Sequence, residues 1–312
     1  MQSLVLCHVR KGGLDVLQSG REKALVSETV PLIRNISDTA LWVAVYRARE
    51  SERPDAVFRD PFARRLAGER GEGIARSMPF GDEVAWSWLA RTYLFDSFIS
   101  EQVQQGADLV VNLAAGLDAR PYRMALPSSL RWVEVDLPDI LNYKAEILRD
   151  EKPKCLLQRV PLDLSDQAAR RRVLLELSEG SKNALVVSEG LIIYLAAGEV
   201  GALALDLAAV PVFQHLVVDM VSPGLLRYAQ KAVGPRLGPS GAALKFGPEE
   251  GPSFFERYGW RPVDVRSVLK TAARLKRLPF RFRLMALLPE SNRKPGSRPW
   301  SAICLFKKQA AE

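Results

Sequence analysis

Short apolar runs alternate with amphipathic segments through the middle of the chain. Helical spacing of apolar residues covers the segments 139–149, 166–178 and 197–208. The apolar runs have the length and composition of strands buried on both faces, and they cover residues 109–114, 131–135, 157–161, 184–188 and 214–219. This alternation predicts an α/β fold with a doubly wound, mostly parallel sheet that binds ligands at the carboxyl ends of its strands.

The flanking segments predict helices before this sheet and a mixed region after it. A helix follows Ser37, a short helical piece covers 58–66, and an amphipathic helix covers 84–103; after the sheet come helices at 249–258 and 265–275, a strand-like alternation at 280–283 and a strand at 301–306. We therefore expect one domain over 37–312, with a helical cap at 37–105. An N-terminal extension covers 1–36, and its patterning is too weak to decide whether it is ordered.

One stretch after the fifth strand differs in composition from its surroundings. Between Pro223 and Pro252 the chain holds five prolines and six glycines around a basic amphipathic piece. Such a segment is typical of a mobile lid or substrate loop, which we assign to 222–258, and a plain surface connection is the alternative.

Small and acidic residues follow the ends of four successive strands. Ala114 and Gly116 let a ligand approach the backbone after the first strand, and Asp118 follows in the same loop. Asp136, about 20 residues beyond Gly116, has the place of an acid that binds ribose hydroxyls. Asp163 and Glu189 follow the strands at 157–161 and 184–188. Asp163 could instead cap the helix that comes after it.

The glycine pattern of this loop argues against a dinucleotide. Ala119 stands where a dinucleotide-binding loop has its third glycine. A cofactor with a ribose, an adenine and an amino-acid tail, such as S-adenosylmethionine, fits the loop better. Such a cofactor would also explain Arg91, which lies within the apolar arc of helix 84–103 and needs an anionic partner there. That partner is either a structural carboxylate or a carboxylate of the ligand.

Seven segments in order resemble the leucine carboxyl methyltransferase family, in particular its bacterial polyketide-type O-methyltransferases. They are TALWVAVYRARESERPDAVFRDPFARRLAG, ARTYLFDSFI, VVNLAAGLDARPYRM, WVEVDLPDILNYKAEIL, VPLDLSD, SEGLIIYL and WSAICLF. The resemblance runs from about residue 37 to 307. It implies a class I methyltransferase fold, which is Rossmann-like, with a seven-stranded sheet whose last strand is antiparallel.

The resemblance also implies roles for individual residues. Arg91 would hold the methionine carboxylate, Ala114 and Gly116 the loop backbone, Asp136 the ribose, Asp163 and Leu164 the adenine edge, and Glu189 the methionine amino group or the substrate. Asp118 would brace the loop or pair with Arg120 or Arg123. Tyr194 is a candidate substrate contact, although an aromatic residue in LIIYL is more often part of the core. The family usually has glycine at Ala114 and threonine at Ala119.

Composition bears on nucleic-acid binding, metal binding and membrane location. The 312 residues are 47% hydrophobic with a net charge of +8, and residues 261–308 hold 13 Lys and Arg against 2 acids. Solubilising charge explains such a basic segment more readily than nucleic-acid binding. The three cysteines show no metal-ligand spacing, and no segment approaches the length of a membrane span. We expect a cytoplasmic protein without a metal site.

The sequence thus predicts an S-adenosylmethionine-dependent O-methyltransferase. Its acceptor would be a small-molecule carboxylate or hydroxyl, such as a polyketide-like secondary metabolite. With only two histidines in the chain, the prediction leans toward a carboxylate or an acidic phenol, which needs no base. The alternatives are methylation of a protein C-terminal carboxylate, and a non-catalytic nucleic-acid-binding protein that uses 261–308. No catalytic residue is assigned, and the oligomeric state is left open.

Overall fold

The computed structural model describes residues 33–79, 81–289 and 298–309, without the side chains of Asp82 and Pro239. These described residues belong to one compact unit. Most of the predicted extension 1–36 lies outside the described residues.

A single seven-stranded sheet organises this unit. Its strands are β1 (Leu109–Leu113), β2 (Arg131–Asp136), β3 (Leu156–Pro161), β4 (Ala184–Ser188), β5 (Phe213–Val221), β6 (Trp260–Ser267) and β7 (Ser301–Lys308). The strand order is β3-β2-β1-β4-β5-β7-β6. Strands β1 to β5 are parallel, and β7 is antiparallel to both β5 and β6. The predicted sheet and its antiparallel last strand are confirmed.

Helices precede the sheet and cover both of its faces. They are α1 (Asp38–Ser51), α2 (Ala63–Ser77), α3 (Ala85–Gln104), α4 (Arg120–Arg123), α5 (Pro138–Ile147), α6 (Gln167–Ser178), α7 (Ala197–Ala208), α8 (Pro223–Leu237), α9 (Val268–Arg274) and α10 (Phe280–Ala286). Val110 packs with α3 and α9 on one face of β1, and Val111 packs with α6 and α7 on the other. Burial on both faces explains why the central strands are mostly apolar.

Two predicted elements after the sheet are wrong. The expected helix 265–275 is strand β6 up to Ser267 and a helix only from Val268. Strand β6 lies at the edge of the sheet and has a register shift between Pro262 and Asp264, and a strand with proline and charge is tolerated at such an edge. The alternation predicted as a strand at 280–283 belongs to helix α10, which leaves Phe280 83% exposed.

The segment 222–258, predicted to be a lid or substrate loop, is mostly helical. It holds α8 and 3₁₀-helical turns at Gly238–Ser240 and Gly251–Tyr258. Its backbone bonds to another 3₁₀ turn, Ile192–Tyr194, since the amides of Lys245 and Phe246 both donate to the Ile193 carbonyl. The lid assignment stays a prediction.

Candidate active site

The described residues enclose a cavity of about 370 Å³ at the carboxyl ends of the parallel strands. Helices α1 and α3 close it from above, and the loops that follow β1 to β4 form its floor. All nine residues singled out from the sequence line it, namely Arg91, Ala114, Gly116, Asp118, Asp136, Asp163, Leu164, Glu189 and Tyr194. No described residue of 222–258 does.

The loop after β1 is held in a left-handed conformation by its neighbour β2. Ala114 has φ +51° and Gly116 has φ +48°. The Gly116 amide donates to Oδ2 of Asp136 at 2.6 Å, and the Leu137 amide donates to Oδ1 at 2.7 Å. Burial raises the pKa of Asp136, while these two amides oppose the rise. No positively charged side chain bonds to this carboxylate within the described chain.

Helix α1 packs directly on this loop. A Cβ built on Gly116 would lie 3.2 Å from Cβ of Ala40, so α1 leaves little room for a side chain there. The Arg47 guanidinium donates to the Leu117 carbonyl at 2.6 Å and pairs with Asp60 at 2.9 Å. The cavity therefore depends on the N-terminal helices as much as on the sheet.

Asp118 braces the loop from within, as one of its two predicted roles requires. Its carboxylate accepts hydrogen bonds from the side chain of Asn112 at 2.8 Å and from the backbone and guanidinium of Arg120 at 2.9 Å. Burial acts to raise the pKa of Asp118, but the charges of Arg120, Lys144 and Arg123 outweigh it and lower that pKa to about 2. Asp118 is thus already neutralised by protein groups.

Arg91 lies between two carboxylates of the protein. Its Nε is 3.0 Å from Oε1 of Glu189, and its Nη1 donates to Oδ2 of Asp219 at 3.2 Å. Burial acts to lower the pKa of Arg91, but the charges of Glu189 and Asp219 outweigh it and raise that pKa above its usual value. Structural carboxylates thus pair with two nitrogens of Arg91, and no hydrogen bond of its Nη2 is found among the described residues. A ligand carboxylate as a further partner stays a prediction.

Glu189 and Asp219 connect Arg91 to the sheet. Oε2 of Glu189 is 2.8 Å from the Arg120 guanidinium, and Oδ1 of Asp219 accepts the Gly190 amide at 2.8 Å. Burial raises the pKa of Asp219, and the charge of Arg91 opposes the rise. These contacts hold Arg91 in one place at the end of β4 and β5.

Asp163 turns the chain at the end of β3 rather than capping α6. Its Oδ1 accepts the Ser165 amide at 2.8 Å, which lowers the pKa of this exposed carboxyl. The cap of α6 is Asp166, whose side chain accepts the Ala169 amide at 3.0 Å. The capping alternative for Asp163 is therefore wrong, and its side chain stays available at the cavity.

Tyr194 belongs to the cavity rather than to the core alone. It ends the 3₁₀ turn Ile192–Tyr194 and is half-buried. Burial raises the pKa of its hydroxyl, and a hydrogen bond with Thr39 and the charge of Arg91 oppose the rise. The phenol is therefore protonated at neutral pH and can donate a hydrogen bond.

Sequence reasoning missed several residues at the same cavity. Thr39, Trp42 and Arg47 reach it from α1, Trp88 reaches it from α3, and Asp219 supports Arg91 from β5. Two signals were present in the sequence. Trp88 stands three residues before Arg91 and so on the same helix face, and Asp219 is an acid in an apolar strand.

The charged side chains that line this cavity are arginines and carboxylates. Among the described lining residues there is no histidine, lysine or cysteine. His215 lies half-buried on β5, away from the lining, where burial and Lys307 lower its pKa. Within the described part of the chain, no group of three or more acidic, histidine or cysteine side chains could hold a metal ion, and no helix is long and apolar enough to cross a membrane.

Comparison with known proteins places this geometry in context. Residues 40–208 match the family model described as leucine carboxyl methyltransferase. A Rhodococcus jostii protein, named "Putative S-adenosyl-L-methionine-dependent methyltransferase", is 36% identical over 172 residues, which are 53% of this chain and 58% of that protein. A Mycobacterium tuberculosis protein of the same name is 31% identical over 239 residues, 70% of this chain and 76% of that protein. The chain thus spans less than two thirds of the Rhodococcus relative.

A solved structure supports the fold. The crystal structure of a Thermobifida fusca protein, described as a "putative methyltransferase", superposes with a TM-score of 0.53 at 16% identity. The superposition covers 94% of this chain and all of that one (100%). The class I methyltransferase fold predicted from the sequence is confirmed, and the names of the two relatives agree with the expected cofactor.

Proposed function

Because the chain belongs to the leucine carboxyl methyltransferase family, we propose that it is an S-adenosylmethionine-dependent O-methyltransferase acting on a small-molecule carboxylate or acidic hydroxyl. The observation that carries this proposal is that the nine residues chosen from the sequence line one cavity at the strand ends. Its volume of about 370 Å³ lies within the usual range for small-molecule sites, roughly 300–1,000 Å³.

The cavity fits the parts of this cofactor one by one. Asp136 has both oxygens fixed by backbone amides and keeps further lone pairs for ribose hydroxyls. Asp163 and Leu164 would border the adenine at the end of β3. Nη2 of Arg91 would meet the methionine carboxylate, and Glu189 the methionine ammonium.

When bound, S-adenosylmethionine supplies a methyl group on a positively charged sulfur. The chain's own residues then hold the acceptor oxygen in line with that methyl carbon, and such positioning alone can supply much of the rate enhancement. With no histidine, lysine or cysteine in the described lining, and with the Tyr194 phenol protonated, an acceptor that is already ionised suits this cavity. A carboxylate or an acidic phenol meets that condition.

Calorimetry and labelled methyl transfer test the proposal. The wild-type protein should bind S-adenosylmethionine, and Asp136→Ala should weaken binding strongly. Undiminished binding by Asp136→Ala would remove the ribose assignment, and failure of the wild type to bind would overturn the proposal. The transfer assay, run with radiolabelled S-adenosylmethionine and pooled carboxylic acids and phenols, should yield products that carry one added methyl group.

Methylation of a protein C-terminal carboxylate is the second candidate, because the family description names such chemistry. Incubation of the enzyme and labelled cofactor with a cell extract separates the two. Label in an organic-solvent extract supports the small-molecule acceptor. Label in the protein fraction that is released by mild base, as a methyl ester would be, supports the protein acceptor instead.

Nucleic-acid binding by residues 261–308 has less support. Arg266 pairs with Glu101 at 2.6 Å and with Asp264 at 2.7 Å, Arg277 pairs with Glu50 at 2.9 Å, and Arg281 pairs with Glu83. Strand β7, from the same segment, is buried inside the sheet. These three arginines are thus held by protein carboxylates rather than aligned for phosphates.

A further inference from the structure

The cavity has two ends that the order of the strands defines. Asp163 and Asp136 lie at the ends of β3 and β2, on one side of β1. Arg91 lies on the other side, because it contacts Glu189 after β4 and Asp219 on β5. With adenosine on the β3 side, the region around and beyond Arg91 is where an acceptor can reach the methyl group.

Tryptophan side chains line the cavity at this second end. Trp88 lies one helical turn from Arg91 on α3, and Trp42 approaches it from α1 with ring centroids 4.6 Å apart and planes at 62°. Tyr46 stacks on Trp88 at 4.8 Å with planes at 5°, and its hydroxyl donates to the Gly81 carbonyl at 3.0 Å. The aromatic wall is therefore fixed before any acceptor binds.

Polar groups complete this end of the cavity without supplying a base. The Tyr194 hydroxyl is a hydrogen-bond donor, while both nearby acids, Glu189 and Asp219, already pair with arginine. Indole rings beside a hydrogen-bond donor suit a ligand with a flat apolar body and an anionic head.

We propose that the acceptor is an aromatic carboxylic acid whose ring contacts Trp42 and Trp88 and whose carboxylate lies near the Tyr194 hydroxyl. This inference rests on the proposed methyl transfer. A carboxylate oxygen forms a bond to the methyl carbon, and the carbon–sulfur bond breaks with its electron pair going to sulfur. The products are a methyl ester and the neutral thioether of the cofactor, and no proton moves.

The test compares aromatic with saturated carboxylic acids as acceptors, and the wild type with variants of Trp88. The probes are 2-naphthoate and cinnamate, against the saturated acids cyclohexylacetate and octanoate, with labelled S-adenosylmethionine. We expect the wild type to have a KM at least about tenfold lower for the aromatic acids, since aromatic contacts add to simple burial. Trp88→Leu should remove most of this difference, and Trp88→Phe should keep most of it.

Trp86→Leu is the matched control. Trp86 lies on the same helix and is half-buried, but it packs against Phe282 and does not line the cavity. It should leave the KM values within about twofold of the wild type, and all variants should bind S-adenosylmethionine as the wild type does, which also shows that they are folded. A loss of stacking predicts a raised KM with little change in kcat.

The outcomes separate this inference from the proposed function. Transfer to saturated acids with equal or lower KM, transfer to phenols alone, or a Trp88→Leu variant with unchanged KM values would overturn the aromatic acid and leave the methyltransferase intact. If Trp88→Leu does not fold, Trp88→Met decides, because loss of the ring should still raise the KM for 2-naphthoate more than for octanoate. A wild type that does not bind the cofactor would overturn the proposed function itself.

Discussion

Two carboxylates on β2, Glu134 and Asp136, stand two residues apart and so project from the same face of the sheet. Glu134 lies inside the protein, where its side chain is fully buried and pairs with Lys144 at 2.7 Å and Arg159 at 3.0 Å. Asp136 ends the strand and lines the cavity, and within the described part of the chain it bonds only to the amides of Gly116 and Leu137.

The difference lies in what neutralises each charge. Two cations surround Glu134, so its bonding capacity is used by the protein. Two backbone dipoles hold Asp136 in place, and an anion held in this way keeps both its charge and free lone pairs for a ligand. The kind of partner separates a structural acid from a binding acid better than burial does.

The largest effect should come from breaking the structural group. Glu134→Ala leaves the Lys144 ammonium, which is fully buried, without its anion, and should lower the free energy of unfolding by about 3–5 kcal/mol. Urea denaturation followed by circular dichroism measures this loss. The double variant Glu134→Gln/Lys144→Met removes both charges and should recover most of it. Loss of less than about 1 kcal/mol in the single variant would mean that the pair contributes little.

Asp136→Asn should affect binding more than folding. Loss of a charged hydrogen-bond acceptor should raise the Kd for S-adenosylmethionine by about tenfold to a hundredfold, measured by calorimetry. Asp139→Asn is the matched control, since Asp139 is exposed on α5 and does not line the cavity. Equal Kd values in the two variants would contradict the contrast between Asp136 and Glu134.

The acidity of Asp136 gives a smaller, graded test of the same contrast. Burial raises the pKa of Asp136 above its usual value of 3.8, so this group takes up a proton at a higher pH than an exposed aspartate does. Affinity for S-adenosylmethionine should therefore fall as the pH is lowered from 7 toward that raised pKa. Asp136→Asn cannot lose this charge, and its Kd should vary less over the same pH range. Parallel pH profiles for the two proteins would exclude Asp136 as the titrating group.

The smallest effect concerns the loop that Asp136 holds. Ala114 has φ +51°, a conformation that costs a side-chain-bearing residue about 1–2 kcal/mol. Ala114→Gly should relieve this cost, although the greater flexibility of glycine in the unfolded chain offsets part of the gain. The net effect should be a rise of about 0.5–1 kcal/mol in the free energy of unfolding. Ala115→Gly, at a neighbour outside the left-handed region, should lower it by a similar amount. Thermal and urea denaturation measure both, and a stabilising Ala115→Gly would contradict the assignment of strain to Ala114.

Much of the fold could be predicted because the central strands are buried on both faces and are mostly apolar, as in Leu109–Leu113, where Asn112 is the one polar residue. The residues at their carboxyl ends could be located for the same reason, since a strand end is visible where the apolar run stops. Edge strand β6 and helix α10 could not, because a partly exposed element lacks a continuous apolar run. Pro262 also makes β6 hard to recognise as a strand from the sequence.

The residues that reach the cavity from helices were harder to find. Trp42 and Arg47 stand on α1 among residues that pack against α2 and α3, and sequence spacing does not separate a cavity wall from a core face. Asp219 meets Arg91 across 128 positions of the chain, a pairing that only the folded sheet creates. The roles of Arg91, Asp136 and Asp163 toward the cofactor stay predictions.

The contact between Ala40 and Gly116 has a practical consequence for dissecting this protein. Helix α1 precedes all the strands in the chain. It nevertheless forms a wall of the cavity and bonds through Arg47 to the loop after β1. A fragment that begins after Ser51 would retain all seven strands and every acid at their ends. Without α1, however, this edge of the sheet would lose one wall of the cavity and its acids would be more exposed to solvent. A minimal version of the protein must therefore keep residues that precede its first strand by about 70 positions.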